Sequence, residues 1–82
     1  MPISLHSHMD WEALVGRNIR RLRKAKGFTQ ERLAEESGVA MRYVAGVERG
    51  EENPSLKFLL KIAGALEAEP AALLARDGEP QP

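Results

Sequence analysis

Hydrophobic residues recur along the chain at helical spacing, and no stretch shows the alternation of period two that predicts a strand. The clearest stripe consists of Trp11, Val15, Ile19 and Leu22, which fall on one side of a helix predicted from residue 10 to residue 26. The same kind of spacing, interrupted at glycine and proline, predicts four further helices. They cover residues 30–36, 40–49, 55–66 and 70–75. The chain is therefore expected to be all-α.

Polar residues and glycines mark the expected ends of these helices. Asp10, Thr29 and Ser55 each precede a helical stretch and can cap its N-terminus through a side-chain oxygen. Gly27 is placed to end the first helix in the left-handed conformation, which glycine adopts without steric cost. Pro70 opens the last segment, at a position where its missing amide is tolerated. The expected division is a flexible arm, one folded domain and a flexible tail, over residues 1–9, 10–76 and 77–82.

The second and third predicted helices carry a motif. Ala34 lies four residues after Gln30, Gly38 lies four residues further on, and Val44 follows after another six. A small residue allows two helices to approach, a glycine supplies positive φ in the turn, and a β-branched residue fills the space between the helices. In this order and at this spacing, these residues predict a helix-turn-helix.

Around this motif the sequence resembles the Cro/repressor-type helix-turn-helix family, also called the XRE family. The resemblance covers roughly residues 14–74 and implies a compact five-helix, lambda-repressor-like domain that binds double-stranded DNA, usually as a homodimer. Residues 42–50 are most similar to the short, free-standing members, among them the controller proteins of restriction-modification systems. The residues that carry the resemblance are Ile19-Arg20-Arg21-Leu22-Arg23, Gly27-Phe28-Thr29-Gln30, Leu33-Ala34, Gly38-Val39, Val47-Glu48-Arg49-Gly50, Asn53-Pro54-Ser55 and Ile62-Ala63 before Leu66.

The distribution of charge agrees with this resemblance better than the total does. The 82 residues include 12 basic and 12 acidic side chains, so the formal net charge is zero. Residues 17–50, however, hold nine basic side chains against four acidic ones, while both flanking segments are acidic. A basic middle is typical either of solvated helix faces or of a surface for an anionic partner. We therefore expect weak non-specific binding to DNA and an acidic C-terminal part that faces away from the duplex.

Several residues of the motif are candidates for DNA contact. Arg42, near the start of the third helix, can bond guanine O6 and N7 together, or a phosphate. The resemblance implies that Gln30 binds a phosphate, which suits an amide at a helix N-terminus, although it can also be a first-turn residue without a ligand. Tyr43 either bonds a phosphate or packs against the second helix. The predicted contact residues are Arg17, Arg20, Gln30, Ala40, Met41, Arg42, Tyr43, Gly46 and Arg49.

Some of these positions depart from the pattern that the family often shows. Ala40, Met41 and Gly46 stand where polar, base-reading side chains are common, and none of the three can form bidentate hydrogen bonds to a base. Met41 can still touch a thymine methyl group, and part of the specificity is then expected from DNA shape. Phosphate contacts, which position a protein without reading sequence, are expected from Arg17, Arg20 and Arg49.

Other features concern the architecture. The resemblance implies a structural ion pair between Arg23 and Glu48, which joins the first and third helices. In the loop that follows the third helix, Glu51 and Glu52 would repel the DNA backbone if they approached it. The fourth and fifth helices are the expected dimer surface, and periodicity does not separate partner-facing leucines from core leucines. The candidates are Leu59, Leu66, Leu73 and Leu74.

Other function classes find little support. Cysteine is absent, which excludes disulfides, thiolate zinc sites and cysteine nucleophiles, and His6 and His8 lack further metal ligands nearby. No apolar run approaches the ~18 residues of a membrane span, and the N-terminus does not resemble a signal peptide. We therefore expect a cytoplasmic, nucleoid-associated protein without catalytic residues, cofactor or metal. The alternative is an antitoxin-like or other protein-interaction module with secondary DNA binding. The sequence leaves a small-molecule effector undetermined.

Overall fold

Four α-helices and one short 3₁₀ helix build the part of the chain that the structure, a computed structural model, describes, which is residues 10–76. The predicted arm over residues 1–9, with its two histidines, and the predicted tail over residues 77–82 lie outside these described residues. The helices are α1 (Trp11–Ala25), α2 (Gln30–Ser37), α3 (Met41–Glu48), α4 (Leu56–Leu66) and the 3₁₀ helix (Pro70–Leu74). The expectation of an all-α domain is confirmed for this part of the chain.

The predicted capping residues start three of the helices. The Asp10 carboxylate accepts a hydrogen bond from the amide of Ala13 at 2.9 Å, and the Thr29 hydroxyl accepts one from the amide of Arg32 at 2.9 Å. Ser55 caps α4 in the same way. Each bond satisfies one of the amides that the first turn of a helix leaves without a partner. By contrast, Ala40 at the start of α3 makes no side-chain cap. The observed α3 is also one residue shorter at each end than predicted.

The last element is a 3₁₀ helix, so the expectation of a fifth α-helix is wrong. Pro70–Leu74 spans only five residues, and its backbone bonds run from residue i to residue i+3. The buried side chain of Asn18, in α1, donates hydrogen bonds to the carbonyls of Leu73 at 2.9 Å and Ala75 at 2.8 Å. These are carbonyls that a further helical turn would need for its own amides. The segment therefore ends against α1 instead of continuing as a helix.

The core lies between α1, α2, α3 and α4 and is closed by the 3₁₀ helix. Its fully buried side chains come from every element: Ile19, Leu33, Val44, Val47, Ile62 and Leu73. Two of the four leucines offered as dimer candidates, Leu66 and Leu73, belong to this core and are buried. They are not available to a partner, because they complete the apolar surface against which the other helices pack. Leu59 is half-buried against the core, and Leu74 is exposed.

A glycine sets the distance between α1 and α3. A β-carbon on Gly16 would lie 2.4 Å from the carbonyl oxygen of Val47 and 2.7 Å from that of Glu48. Both atoms belong to backbone, which cannot move aside as the end of a flexible side chain can. The crossing of α1 against the C-terminal end of α3 therefore requires glycine at this position.

We expect Gly16→Ala to lower the free energy of unfolding by about 2–3 kcal/mol, because the added methyl group forces the two helices apart. Gly64→Ala is the matched control, since Gly64 is an exposed glycine within α4 and has no atom near its missing β-carbon. That variant should gain up to about 1 kcal/mol from helix propensity. Urea denaturation measures both. A Gly16→Ala protein as stable as the wild type would contradict the close crossing.

Candidate nucleic-acid interface

Helices α2 and α3 form the predicted helix-turn-helix. Gly38 adopts φ 75° in the turn, and its amide donates to the carbonyl of Ala34 at 2.8 Å. Ala34 and Leu33 on α2 are buried, as is Val44 on α3, which fills the space between the helices. The roles that the sequence analysis gave to the small residue, the glycine and the β-branched residue are confirmed. The inner side of α3 is therefore fixed by the core.

The opposite side of α3 is open to solvent. Ala40, Met41 and Arg42 are exposed at its N-terminal end, and the side chain of Met41 is 48% accessible. Arg49 is exposed just beyond the C-terminal end. The structure thus brings these four predicted contact residues to the outer side of one helix, whose inner side is held by the core. An exposed helix side that carries two arginines, Arg42 and Arg49, has the form that fits a DNA groove.

Two other predicted contact residues of α3 are placed differently. Gly46 is buried, because the side chain of Glu52 folds over it, so the expectation that Gly46 faces DNA is wrong. The ring of Tyr43 packs edge-on against Phe58 of α4, with ring centroids 4.9 Å apart. The structure thus shows Tyr43 packed against the fourth helix, and its packing against the second helix stays a prediction. Contact between its hydroxyl and a phosphate stays a prediction.

A carboxylate at the end of α3 joins three parts of the fold. The guanidinium of Arg23 in α1 donates to the two oxygens of Glu48 at 2.6 Å and 3.0 Å, and it also donates to the carbonyl of Phe28 at 2.8 Å. The side chains of Arg23 and Glu48 are only 9% and 3% exposed. This is the pair that the family resemblance implies, in the bidentate geometry of strong charge-assisted hydrogen bonds.

Gln30, at the start of α2, also contacts Glu48 and forms with Arg23 and Glu48 one hydrogen-bonded cluster. Its side-chain amide donates to the same Glu48 oxygen, Oε1, at 3.0 Å. A glutamine amide carries two N–H donors, and a single contact with Glu48 engages one of them. Gln30 is half-buried at the first position of α2, where backbone amides also point outward. The sequence gave no signal for the contact between Gln30 and Glu48, because the two residues lie 18 positions apart.

Arg49 has an ion-pair partner of its own. Its Nη2 lies 3.0 Å from Oε1 of Glu51, and both side chains are more than half exposed. The hydrogen bond to Arg49, followed by its charge, holds the pKa of Glu51 below the ordinary value for a glutamate. The same contact raises the pKa of Arg49, to which the charge of Glu52 adds a smaller effect. The loop after α3 therefore places negatively charged side chains close to Arg49.

The predicted contact residues of α1 lie outside the helix-turn-helix. Arg17 and Arg20 are exposed, and with Arg21 and Lys24 they form a cationic side of α1. Arg21 donates to the side-chain oxygen of Asn18 at 3.3 Å. These cations surround the residue that ties α1 to the 3₁₀ helix. Contact of Arg17 and Arg20 with phosphate stays a prediction.

Metal-binding clusters and membrane-spanning helices are both absent from residues 10–76. No group of three or more histidine or acidic side chains in this range is arranged to hold a metal ion. None of the helices in the same range has the length and hydropathy required to span a bilayer.

We expect Glu48→Gln to destabilise the protein by about 3–5 kcal/mol, because it leaves the buried guanidinium of Arg23 without a counter-charge. Glu36→Gln is the matched control, since it breaks the exposed pair between Arg32 and Glu36 within α2. Its cost should be about 0.5 kcal/mol or less. Urea denaturation at neutral pH compares the two, and equal costs would show that burial of the Arg23–Glu48 pair has no energetic consequence.

Comparison with known proteins gives the family. The profile of the Helix-turn-helix family matches residues 19–73. The crystal structure of C.AhdI, a restriction-modification controller protein from Aeromonas hydrophila, is 50% identical with a TM-score of 0.74 and covers 76% of this chain and 94% of that chain. The control protein C.SmaI of Serratia marcescens is 37% identical over 78 residues, which are 95% of this chain and 93% of the relative.

Longer regulators are matched as well. The structure of the N-terminal DNA binding domain of SinR from Bacillus subtilis is 37% identical with a TM-score of 0.76, covering 82% of this chain and 99% of that one. The chain spans only 38% to 56% of the full length of some other regulators that it matches. The family profile, the relatives and the geometry of α2 and α3 agree: the chain belongs to the XRE-type helix-turn-helix family of DNA-binding transcriptional regulators.

Proposed function

We propose that this protein regulates transcription as a sequence-specific homodimer and inserts α3 into the major groove of duplex DNA. The observation that carries the proposal is the outer side of α3, where Ala40, Met41 and Arg42 are exposed while the inner side is held in the core. A rigid helix with a free outer side of this kind reads base edges without rearrangement. The relatives named as controller proteins and as a DNA binding domain support this assignment.

Arg42 is the proposed base-reading residue. It stands in the first turn of α3, and in helix-turn-helix proteins the N-terminal residues of the second helix contact base edges. A guanidinium there can bond O6 and N7 of one guanine together. Met41, beside it, offers an apolar surface for a thymine methyl group. With so few groups able to read bases, DNA shape supplies the rest of the specificity.

Phosphate contacts hold α3 in the groove. One side-chain N–H of Gln30 donates to Glu48, and the second is proposed to donate to a phosphate. The backbone amides at the start of α2 would bind the same phosphate. Arg49, just beyond the C-terminal end of α3, is also proposed to bind a phosphate, as are Arg17 and Arg20 from α1. Contacts of this type fix the position of the protein on the duplex and carry no sequence information.

We expect Arg42→Ala to cost roughly 1–3 kcal/mol on a cognate site and to relax specificity, and Arg49→Ala to weaken binding to all sequences alike. The cognate site is first selected from random duplex DNA, which also gives the half-site and its spacing. Titration of the selected duplex and of a scrambled duplex then separates the two effects. If Arg42→Ala loses equal affinity for both duplexes, Arg42 does not read bases.

The proposed dimer surface is the exposed apolar side of α4 together with the end of the 3₁₀ helix. Leu56 and Leu60 lie one turn apart on α4 and are 70% and 49% exposed, and Leu74 is also open to solvent. Large apolar side chains grouped at a surface are typical of a protein–protein contact. Two copies joined in this way would present two α3 helices to half-sites about one helical turn, ~34 Å, apart.

We expect Leu60→Gln to shift the protein from dimer to monomer in sedimentation velocity and to lower its DNA affinity. Met41→Gln is the matched control: Met41 is exposed to nearly the same extent, 48%, on the side proposed to face DNA. It should leave the oligomeric state unchanged. A wild-type protein that stays monomeric at micromolar concentration, or a dimer that Leu60→Gln does not affect, would refute this surface.

A further inference from the structure

One of the residues proposed to bind a phosphate, Arg49, already pairs with a carboxylate of the protein itself. Arg49 Nη2 contacts Glu51 Oε1 at 3.0 Å. A carboxylate offers a guanidinium the same kind of oxygen acceptors as a phosphate does. DNA binding through Arg49 is then an exchange of one anionic partner for another.

The backbone fixes Glu51 in this place. At the end of α3, the amide of Gly50 donates to the carbonyl of Val47, and the amide of Glu51 donates to the carbonyl of Gly46, both at 3.0 Å. This pair of bonds, with Gly50 at φ 77°, is the Schellman arrangement that commonly ends helices. The helix end thus fixes the backbone of Glu51 next to Arg49, within reach of the contact between Glu51 Oε1 and Arg49 Nη2.

A second carboxylate supports the first. The side chain of Glu52 folds over Gly46, and its Cγ and Oε2 would lie 3.0 Å and 3.3 Å from a β-carbon placed on that glycine. The glycine therefore makes room for Glu52 against α3. The negative charge of Glu52 also acts on Arg49. The end of the helix that the proposed function brings to DNA thus has two carboxylates close to Arg49.

We propose that Glu51 is an internal counter-ion that a DNA phosphate must displace from Arg49, and that Glu51 and Glu52 together lower the sequence-independent affinity of the interface. The inference rests on the proposed function, because it concerns the phosphate contact assigned to Arg49. Counter-ion release scales with the number of phosphates that a protein neutralises. A cation that is already neutralised within the protein contributes little to that release.

The charges of the molecule are consistent with this role. The formal net charge is zero, so the molecule has no excess positive charge that would attract it to DNA in general. Glu51 is ionised at neutral pH, since its contact with Arg49 lowers its pKa from a value that is already acidic. A regulator with weak backbone affinity depends more on its base contacts and spends less time on unrelated DNA.

The test is Glu51→Gln, which keeps the size of the side chain and removes its charge. The probe is a fluorescein-labelled duplex of scrambled sequence, titrated with the full-length protein in a series of salt concentrations. We expect the variant to bind about three- to fivefold more tightly than the wild type at low salt. The slope of log affinity against log salt should steepen by about 1, because Arg49 then acts as an uncompensated cation.

A double-mutant cycle separates the exchange from a general effect of charge. In an Arg49→Ala background, Glu51→Gln should lose most of its gain. Glu67→Gln is the matched control, since Glu67 is also an exposed carboxylate with an ion-pair partner, Lys26 at 2.6 Å, and lies beyond α4. It removes the same charge and should leave affinity within about twofold of the wild type. Thermal unfolding checks that all variants are folded.

The outcomes distinguish the two proposals. If the wild type binds neither the selected cognate duplex nor the scrambled one at any salt concentration, the proposed function fails and this inference fails with it. If the wild type binds and Glu51→Gln gains nothing, or gains equally without Arg49, the counter-ion role is refuted while the proposed function stands. An equal gain in affinity from Glu67→Gln would likewise refute it, because the effect would then not depend on where the removed carboxylate lies.

Discussion

The buried carboxylate of Glu48 is the constraint on which the rest of the structure depends. It lies at the last residue of α3 and receives hydrogen bonds from Arg23 in α1 and from Gln30 in α2. A charge that is removed from water in this way is tolerated only with a well-placed counter-charge. The three helices are thereby joined at one carboxylate in addition to their apolar packing. This contact and the burial of Val44 and Val47 together set the direction of the outer side of α3.

The same cluster links stability to recognition. Gln30 contacts Glu48 and is also the residue proposed to hold a phosphate at the start of α2. A phosphate contact there would rest on a side chain that is already positioned by the core, which reduces the entropy lost on binding. Next to Glu48, just beyond the same end of α3, Arg49 is exposed and pairs with a surface carboxylate. The phosphate contacts proposed near this end of α3 thus combine a preorganised residue with an exchangeable one.

Much of the fold was predictable because its signals are local. Caps at Asp10, Thr29 and Ser55 and the turn at Gly38 each depend on residues within a few positions of one another, and the structure has them as expected. The end of the 3₁₀ helix was not predictable, because its last carbonyls accept hydrogen bonds from Asn18, which belongs to another helix. In the candidate site, too, local features were predictable from the sequence and long-range ones were not. The exposure of Arg42 follows from helical periodicity, and the burial of Gly46 follows from a loop that folds back.

The sequence by itself determined the four α-helices, the caps of three of them, the helix-turn-helix and the uneven distribution of charge, because each depends on short-range spacing and residue type. Only the tertiary structure decided which leucines serve the core, with Leu66 and Leu73 inside and Leu60 and Leu74 outside. It also decided that Gly16 sets the crossing of α1 and α3. The physical reason is common to these cases. Periodicity assigns a residue to one side of a helix, whereas burial depends on what other elements bring against that side.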